Sequence, residues 1–221
     1  MLKTNFIFIG EAGSGKSEIA INIAGRLMGR DHRPVHFFDM DMTKPLFRSR
    51  DLRAEIEAMG ISFHCEEQFM DAPTMVGGVN RYLKDQDCYT VMDIGGDDIG
   101  ARAVGGFAPR LNQADTSVYY VINPYRPWSC DMDHIDQVLS AILGVSHIQI
   151  ENVHLISNPN LGYDTNPEQV VTAQRSLEEM VLPYKMIDFL CVREDLHETV
   201  KGEVAIPTLP LHLYLTYPWL T

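Results

Sequence analysis

The chain has 221 residues, 45% hydrophobic and 22% charged, the make-up of a globular protein large enough to fold without disulfides or a structural metal. Its 18 basic and 30 acidic residues give a formal charge of −12 with no basic run, which opposes binding to DNA, RNA or anionic lipid. The four cysteines form no C-x-x-C pair, no signal peptide fits the first residues, and no apolar run approaches the ~18 residues of a membrane span, so a cytoplasmic protein is expected.

Strands and helices alternate along the chain. Asn5–Ile9 reads as a short buried strand ending in glycine, and residues 16–27 place Ile19, Ile21, Ile23, Ala24 and Leu27 at helical spacing. Residues 35–38 form a second buried strand ending at Asp39. Residues 52–59 are helical with Gly60 as the stop, and 61–64 form a short strand. Residues 90–92 lead as a strand into Asp93, and the strongly β run 117–122 ends at Asn123-Pro124. Residues 131–143 form a helix with Asp131 or Asp133 at its N-cap and Gly144 at its end. Val153–Ser157 is another buried strand, and 167–180 is a helix with proline in its first turn. A short strand at 184–187 and an apolar tail over 204–221 complete the chain. This alternation predicts an α/β protein with a doubly wound, mostly parallel sheet and helices on both faces, in one domain over 1–221. Ligands of such sheets sit beyond the carboxyl ends of the strands, where Asp39, Asp93, Asn123 and Asn158 all fall.

The segment Gly10-Glu11-Ala12-Gly13-Ser14-Gly15-Lys16-Ser17 matches G-x-x-x-x-G-K-[ST], between the strand and the amphipathic helix that this motif requires. Gly10, Gly13 and Gly15 let the backbone curl so that its N–H groups converge on phosphate oxygens, and the helix adds its positive N-terminal end. Lys16 is expected at the β- and γ-phosphates and Ser17 at Mg²⁺. Asp93, followed by Ile94-Gly95-Gly96, stands where a strand-terminal carboxylate holds Mg²⁺ directly or through water. Asp97 and Asp98 beyond it read as solvated. Asp39, with Asp41, ends the second strand. It is expected to position or deprotonate the attacking water, or to hold the metal's water shell; an ordinary turn aspartate is the alternative.

Together these three pieces resemble the SIMIBI-class P-loop NTPases, the group that holds MinD/ParA-type ATPases, nitrogenase iron protein, CooC-type nickel-insertion ATPases and CobQ/CobB amidotransferase-ligases. The resemblance covers roughly residues 1–160. It implies ATP and Mg²⁺ as cofactors, catalytic roles for Lys16 and Asp39, metal roles for Ser17, Asp93 and Asp39, and a protein partner or homodimer. Asn158 occupies the place where the group's asparagine reads adenine, although an ordinary turn explains it equally well. No N-K-x-D or T-K-x-D segment is present, which favours ATP over GTP. One departure is plain: MinD/ParA-type members carry a lysine after the first loop glycine, and this chain has Glu11, a carboxylate expected to repel phosphate. Lys44, Arg48 or Arg50 are candidates to supply the missing charge. Arg126 serves a phosphate, a partner or a structural turn.

Two further groups, His64-Cys65-Glu66-Glu67 and Cys130-x-x-x-His134, contain soft metal ligands, but the C-x-C pair of CooC-type proteins is absent and structural roles are preferred. The tail 209–220 lacks basic residues, so packing on its own domain is preferred to membrane contact. Three functions remain open: an ATPase switch or assembly factor, serving for example metal- or corrinoid-centre maturation; a small-molecule phosphotransferase or ATP-dependent ligase; and a regulatory nucleotide-binding module with negligible turnover.

Overall fold

The structure is a computed structural model and describes residues 2–41, 49–65, 78–96 and 98–215. Its strands are β1 (Asn5–Ile9), β2 (Val35–Met40), β3 (Ser62–Cys65), β4 (Tyr89–Ile94), β5 (Thr116–Ile122), β6 (Val153–Ser157), β7 (Ile187–Arg193) and β8 (Thr208–Leu211). They form one sheet in the order β3-β2-β4-β1-β5-β6-β7-β8, and every pairing is parallel. The helices are α1 (Lys16–Asp31), α2 (Arg53–Ala58), α3 (Val79–Lys84), α4 (Asp98–Ala103), α5 (Ala108–Leu111), α6 (Met132–Ser146), α7 (Pro167–Val181) and α8 (Glu194–Lys201).

The central strand shows why the sheet is two-sided. All five residues of β1 are buried, as a parallel strand covered on both faces requires. Phe6 and Phe8 pack with Ile19, Ala20, Ala24 and Leu27 of α1 and Ile56 of α2. Ile7 and Ile9 face the opposite way, toward Ala101, Leu111, Ile135, Ile142 and Leu177 from α4 to α7. Each such large apolar side chain contributes roughly 1.5–3 kcal/mol on burial. From β1 the chain winds outward through β2 and β3, returns to β4, then crosses β1 to β5. The strand order therefore reverses around β1, and its carboxyl end opens into the crevice where doubly wound sheets bind ligands.

Several sequence expectations need correction. The strand expected at 184–187 lies instead at Ile187–Arg193: Tyr184 and Met186 are 73% and 72% exposed in the turn after α7, whereas Leu190, Cys191 and Val192 are enclosed between β6 and β8. Gly144 does not end its helix, because α6 continues to Ser146 and is capped by His147 in the left-handed conformation. Asp39 and Asp93 lie one residue inside their strands, since β2 and β4 continue to Met40 and Ile94. The helices α3, α4, α5 and α8 and the strand β8 carry no clear signal in the sequence. The helices among them have eight residues or fewer, too short for the helical period to stand out.

The tail provides the edge strand β8 and then laces onto α1. Asn22 accepts from His212 N and donates to His212 O, at 2.9 and 2.8 Å. Arg26 donates to Pro210 O, and the Glu18 carboxylate accepts from Tyr214 N and Leu215 N. The described part of the tail thus packs on its own sheet, and residues 216–221 lie outside the described ones.

Candidate functional site

The segment between β1 and α1 forms a tight loop. Gly10, Gly13 and Gly15 take φ values of 140°, 78° and 94°, which L side chains rarely adopt. At Gly15 the crowding is direct, because an added Cβ would lie 2.2 Å from Asn158 Nδ2. Gly15 is also the N-cap of α1 and gives it no side-chain cap, so the first-turn N–H groups of a 16-residue helix face the loop. Lys16 is 1% exposed, and its ammonium donates to Glu11 O at 2.8 Å, curled back across the loop. Ser17 is buried beside it. Ser14 Oγ is buried with no hydrogen-bond partner among the described residues. An orphaned hydroxyl inside a ring of backbone donors, next to a buried ammonium, is a set that fits a phosphate group.

The two aspartates arrive from neighbouring strands. Register pairs Asp93 with Phe8 on one side and with Asp39 on the other, which puts both carboxylates beside the end of β1. Both are fully buried. Asp93 Oδ2 accepts from Ser49 Oγ at 3.0 Å. Asp39 Oδ1 accepts from Asp41 N at 2.9 Å, while Asp39 Oδ2 accepts from Arg50 N and Arg50 Nε at 3.1 and 2.8 Å. Arg50 also donates to Asp41 O at 2.6 Å. Arg50, one of the three candidates to offer charge toward phosphate, pairs with Asp39 in the structure. Lys44 and Arg48 lie outside the described residues, as does Asp97. Beyond Asp93, Gly96 closes against the loop: an added Cβ would lie 2.5 Å from Ala12 N.

Glu11 does not act as expected. Its carboxylate leaves the phosphate cradle and accepts from Ser129 Oγ at 2.7 Å and from Trp128 N at 3.3 Å, in the turn after β5. It is 7% exposed. The residue thus anchors the 127–129 turn to the loop. Two more contacts brace the same loop. Arg126 Nε donates to Gly13 O at 3.0 Å, and Asn158 Nδ2 donates to Ser14 O at 2.8 Å. Asn158 is 2% exposed with its amide on the loop backbone, which it braces at Ser14. Asn123 joins the β5 and β6 loops by donating to Asn160 O at 2.8 Å.

Sequence reading missed Ser49 and Ser129. Each meets its partner only through the fold, 44 and 118 residues away in the chain, and no local pattern marks either one. The cluster around His64 is aromatic packing: its ring stacks on Phe38 at 4.5 Å between centroids and lies 3.1 Å from His36 Nδ1. Glu66 and Glu67 lie outside the described residues.

The all-parallel doubly wound sheet, with its glycine loop between β1 and α1, defines a P-loop NTPase fold. Solved structures share it. The chain superposes on chloroplast FtsY from Physcomitrella patens with a TM-score of 0.56 at 13% identity, covering 86% of this chain and 59% of that one. For the cell division protein FtsY from Thermotoga maritima the values are 0.57 and 15%, covering 86% and 62%. For the signal recognition particle receptor FtsY from Elizabethkingia anophelis, solved in complex with GDP, they are 0.52 and 12%, covering 85% and 55%. In each case the match spans less than two thirds of the neighbour's length. No protein-family model matches the sequence, and no curated protein does. No helix among the described residues is long and apolar enough to cross a membrane.

Proposed function

We propose that this chain binds ATP with Mg²⁺ and acts as a nucleotide-dependent switch or assembly factor for a protein partner or a second copy of itself. The observation that carries the reading is the cradle: three positive-φ glycines, an uncapped helix start, the buried Lys16 ammonium and the orphaned Ser14 hydroxyl in one loop. Lys16 would exchange Glu11 O for phosphate oxygens. Ser17 and Asp93 are the groups to hold Mg²⁺, which when bound neutralises phosphate charge. Asp39 adds a fixed negative charge beside them, suited to orienting the metal's water shell. The close approach of Gly96 to Ala12 supports a switch, because it sets the strand end after Asp93 against the phosphate loop.

ATP is preferred to GTP on the missing N-K-x-D and T-K-x-D segments, while the GDP complex of one structural neighbour makes GTP the competitor to test. The charge of −12 supports a protein partner over nucleic acid or membrane. A MinD/ParA-like cross-dimer lysine has no counterpart at Glu11, so the reading within the SIMIBI class leans on the phosphate loop, Asp39 and Asp93. Metal- or corrinoid-centre maturation is the assembly role that the resemblance suggests. A second reading, a regulatory module with negligible turnover, is favoured by one contact: Arg50 already neutralises Asp39, the candidate for activating water.

Calorimetric titration with Mg-ATP and Mg-GTP tests the first reading. Lys16→Ala is expected to weaken nucleotide binding by at least about 100-fold, in line with loss of charge-assisted hydrogen bonds in a buried site. Equal affinity in wild type and variant would refute it. Phosphate release measured under the same conditions separates the ATPase from the regulatory module.

A further inference from the structure

On the outer side of the turn that Glu11 anchors, Cys130, Asp131 and His134 bring three ligand atoms of different chemistry to one point. Cys130 Sγ lies 3.6 Å from Asp131 Oδ2 and 3.9 Å from His134 Nδ1, and the last two are 2.7 Å apart. Tetrahedral zinc bonds of about 2.3 Å to sulfur and 2.0–2.2 Å to nitrogen or oxygen place ligand atoms roughly 3.4–3.6 Å apart. The sulfur distances already meet this within a few tenths of an ångström. The remaining pair must open by roughly 0.7 Å, a small rotation for side chains that are 39% and 51% exposed.

The framework holding them is rigid. Asp131 is the N-cap of α6, and its other oxygen accepts from His134 N at 2.9 Å, which fixes the spacing of the two residues along the first turn. Cys130 directly follows Ser129, which is fully buried and held by Glu11. The Trp128 ring stands edge-on to His134 at 5.0 Å between centroids and closes one side.

We propose that Cys130 Sγ, Asp131 Oδ2 and His134 Nδ1 form a binding site for a divalent transition cation of the zinc class. Thiolate with imidazole selects against Mg²⁺ and Ca²⁺ and suits Zn²⁺ or Co²⁺. On binding, the Cys130 thiol gives up its proton to solvent and the thiolate sulfur bonds the cation. His134, whose Nδ1–H donates to the Asp131 carboxylate without the cation, gives up that proton and binds through the freed Nδ1 lone pair, the neutral ring then carrying its one proton on Nε2. Three protein ligands leave one position open at the surface, the arrangement of an exchangeable cation and not of one that holds a fold together. The inference does not depend on nucleotide binding.

Titration of the tag-free, nucleotide-free chain with cobalt chloride, followed by displacement with zinc chloride, tests it. Wild type is expected to show thiolate-to-cobalt charge-transfer absorption with one cobalt per chain, lost on adding zinc. Cys130→Ser is expected to abolish that absorption. Asp131→Asn, which keeps a good N-cap, and His134→Ala are expected to weaken cobalt binding at least tenfold, with Cys65→Ser unchanged. Circular dichroism checks that each variant is folded. No charge-transfer absorption in wild type, or the same absorption in Cys130→Ser, would overturn the proposal.

Discussion

Replacing Glu11 asks whether its carboxylate anchors a turn or confronts phosphate. In the structure it accepts one short hydrogen bond from a fully buried hydroxyl, Ser129, and one longer bond from Trp128 N. A short hydrogen bond to a charged group contributes about 1.5–3 kcal/mol and the longer bond about 1 kcal/mol, so Glu11→Ala is expected to cost about 2.5–4 kcal/mol. Glu11→Gln keeps the shape and one acceptor oxygen, and is expected to cost about half as much. Ser129→Ala combined with Glu11→Ala in a double-mutant cycle should return a coupling of about 1–2 kcal/mol, since each variant removes the same bond. Urea unfolding followed by circular dichroism measures wild type and these variants. Had the carboxylate faced the cradle, Glu11→Gln would relieve repulsion and tighten nucleotide binding. An unchanged urea midpoint together with a tenfold gain in nucleotide affinity would therefore refute the anchoring role.

Other consequences can be tested separately. Gly15→Ala combines a left-handed φ, costing roughly 1–2 kcal/mol, with displacement of Asn158 from Ser14 O; urea unfolding should show a loss of about 2–3 kcal/mol, and a loss below about 0.5 kcal/mol would contradict the crowding at this position. Burial raises the Glu18 carboxyl above its ordinary value, against the opposing N–H groups of Tyr214 and Leu215. Between the unfolded value near ~4.3 and the raised folded value, the native chain keeps a proton that the unfolded chain has lost, so stability falls as pH rises through that window. Glu18→Gln is expected to flatten this part of the pH profile of the urea midpoint, and parallel profiles would reject the assignment. Among the thiols, burial pushes Cys88 up to about 11 and Cys191 higher still, while Cys130 is exposed. Ellman's reagent should therefore modify Cys130 first and reach Cys88 and Cys191 only in denaturant, an order read by mass spectrometry of the labelled peptides.

The long elements were legible before the fold. NFIFI ahead of a glycine loop, the helix carrying Ile19, Ile21, Ile23, Ala24 and Leu27, and the β runs ending near Asp39, Asp93 and Asn123 are each long enough to be read locally. Elements of a turn or two were not. The α8 segment shows only Leu196 and Val200 as an apolar pair, and β8 contains a proline, which a strand tolerates at the sheet edge it occupies. The strand near 184–187 was misplaced because Tyr184 and Met186 carry the composition of a strand but lie on the surface.

The candidate site divides along the same line. The sequence by itself determined the phosphate loop, because G-x-x-x-x-G-K-S acts through its own backbone and needs only a strand before it and a helix after it. It also placed Asp39 and Asp93 at strand ends. Only the tertiary structure decided that register sets them side by side, that Arg50 neutralises Asp39, and that Ser49 reaches Asp93. It alone turned Glu11 from a charge opposing phosphate into the anchor of the Trp128–Ser129 turn. The physical reason is that a residue's type is set locally, whereas the direction of its side chain and the charge it meets depend on which strands become neighbours.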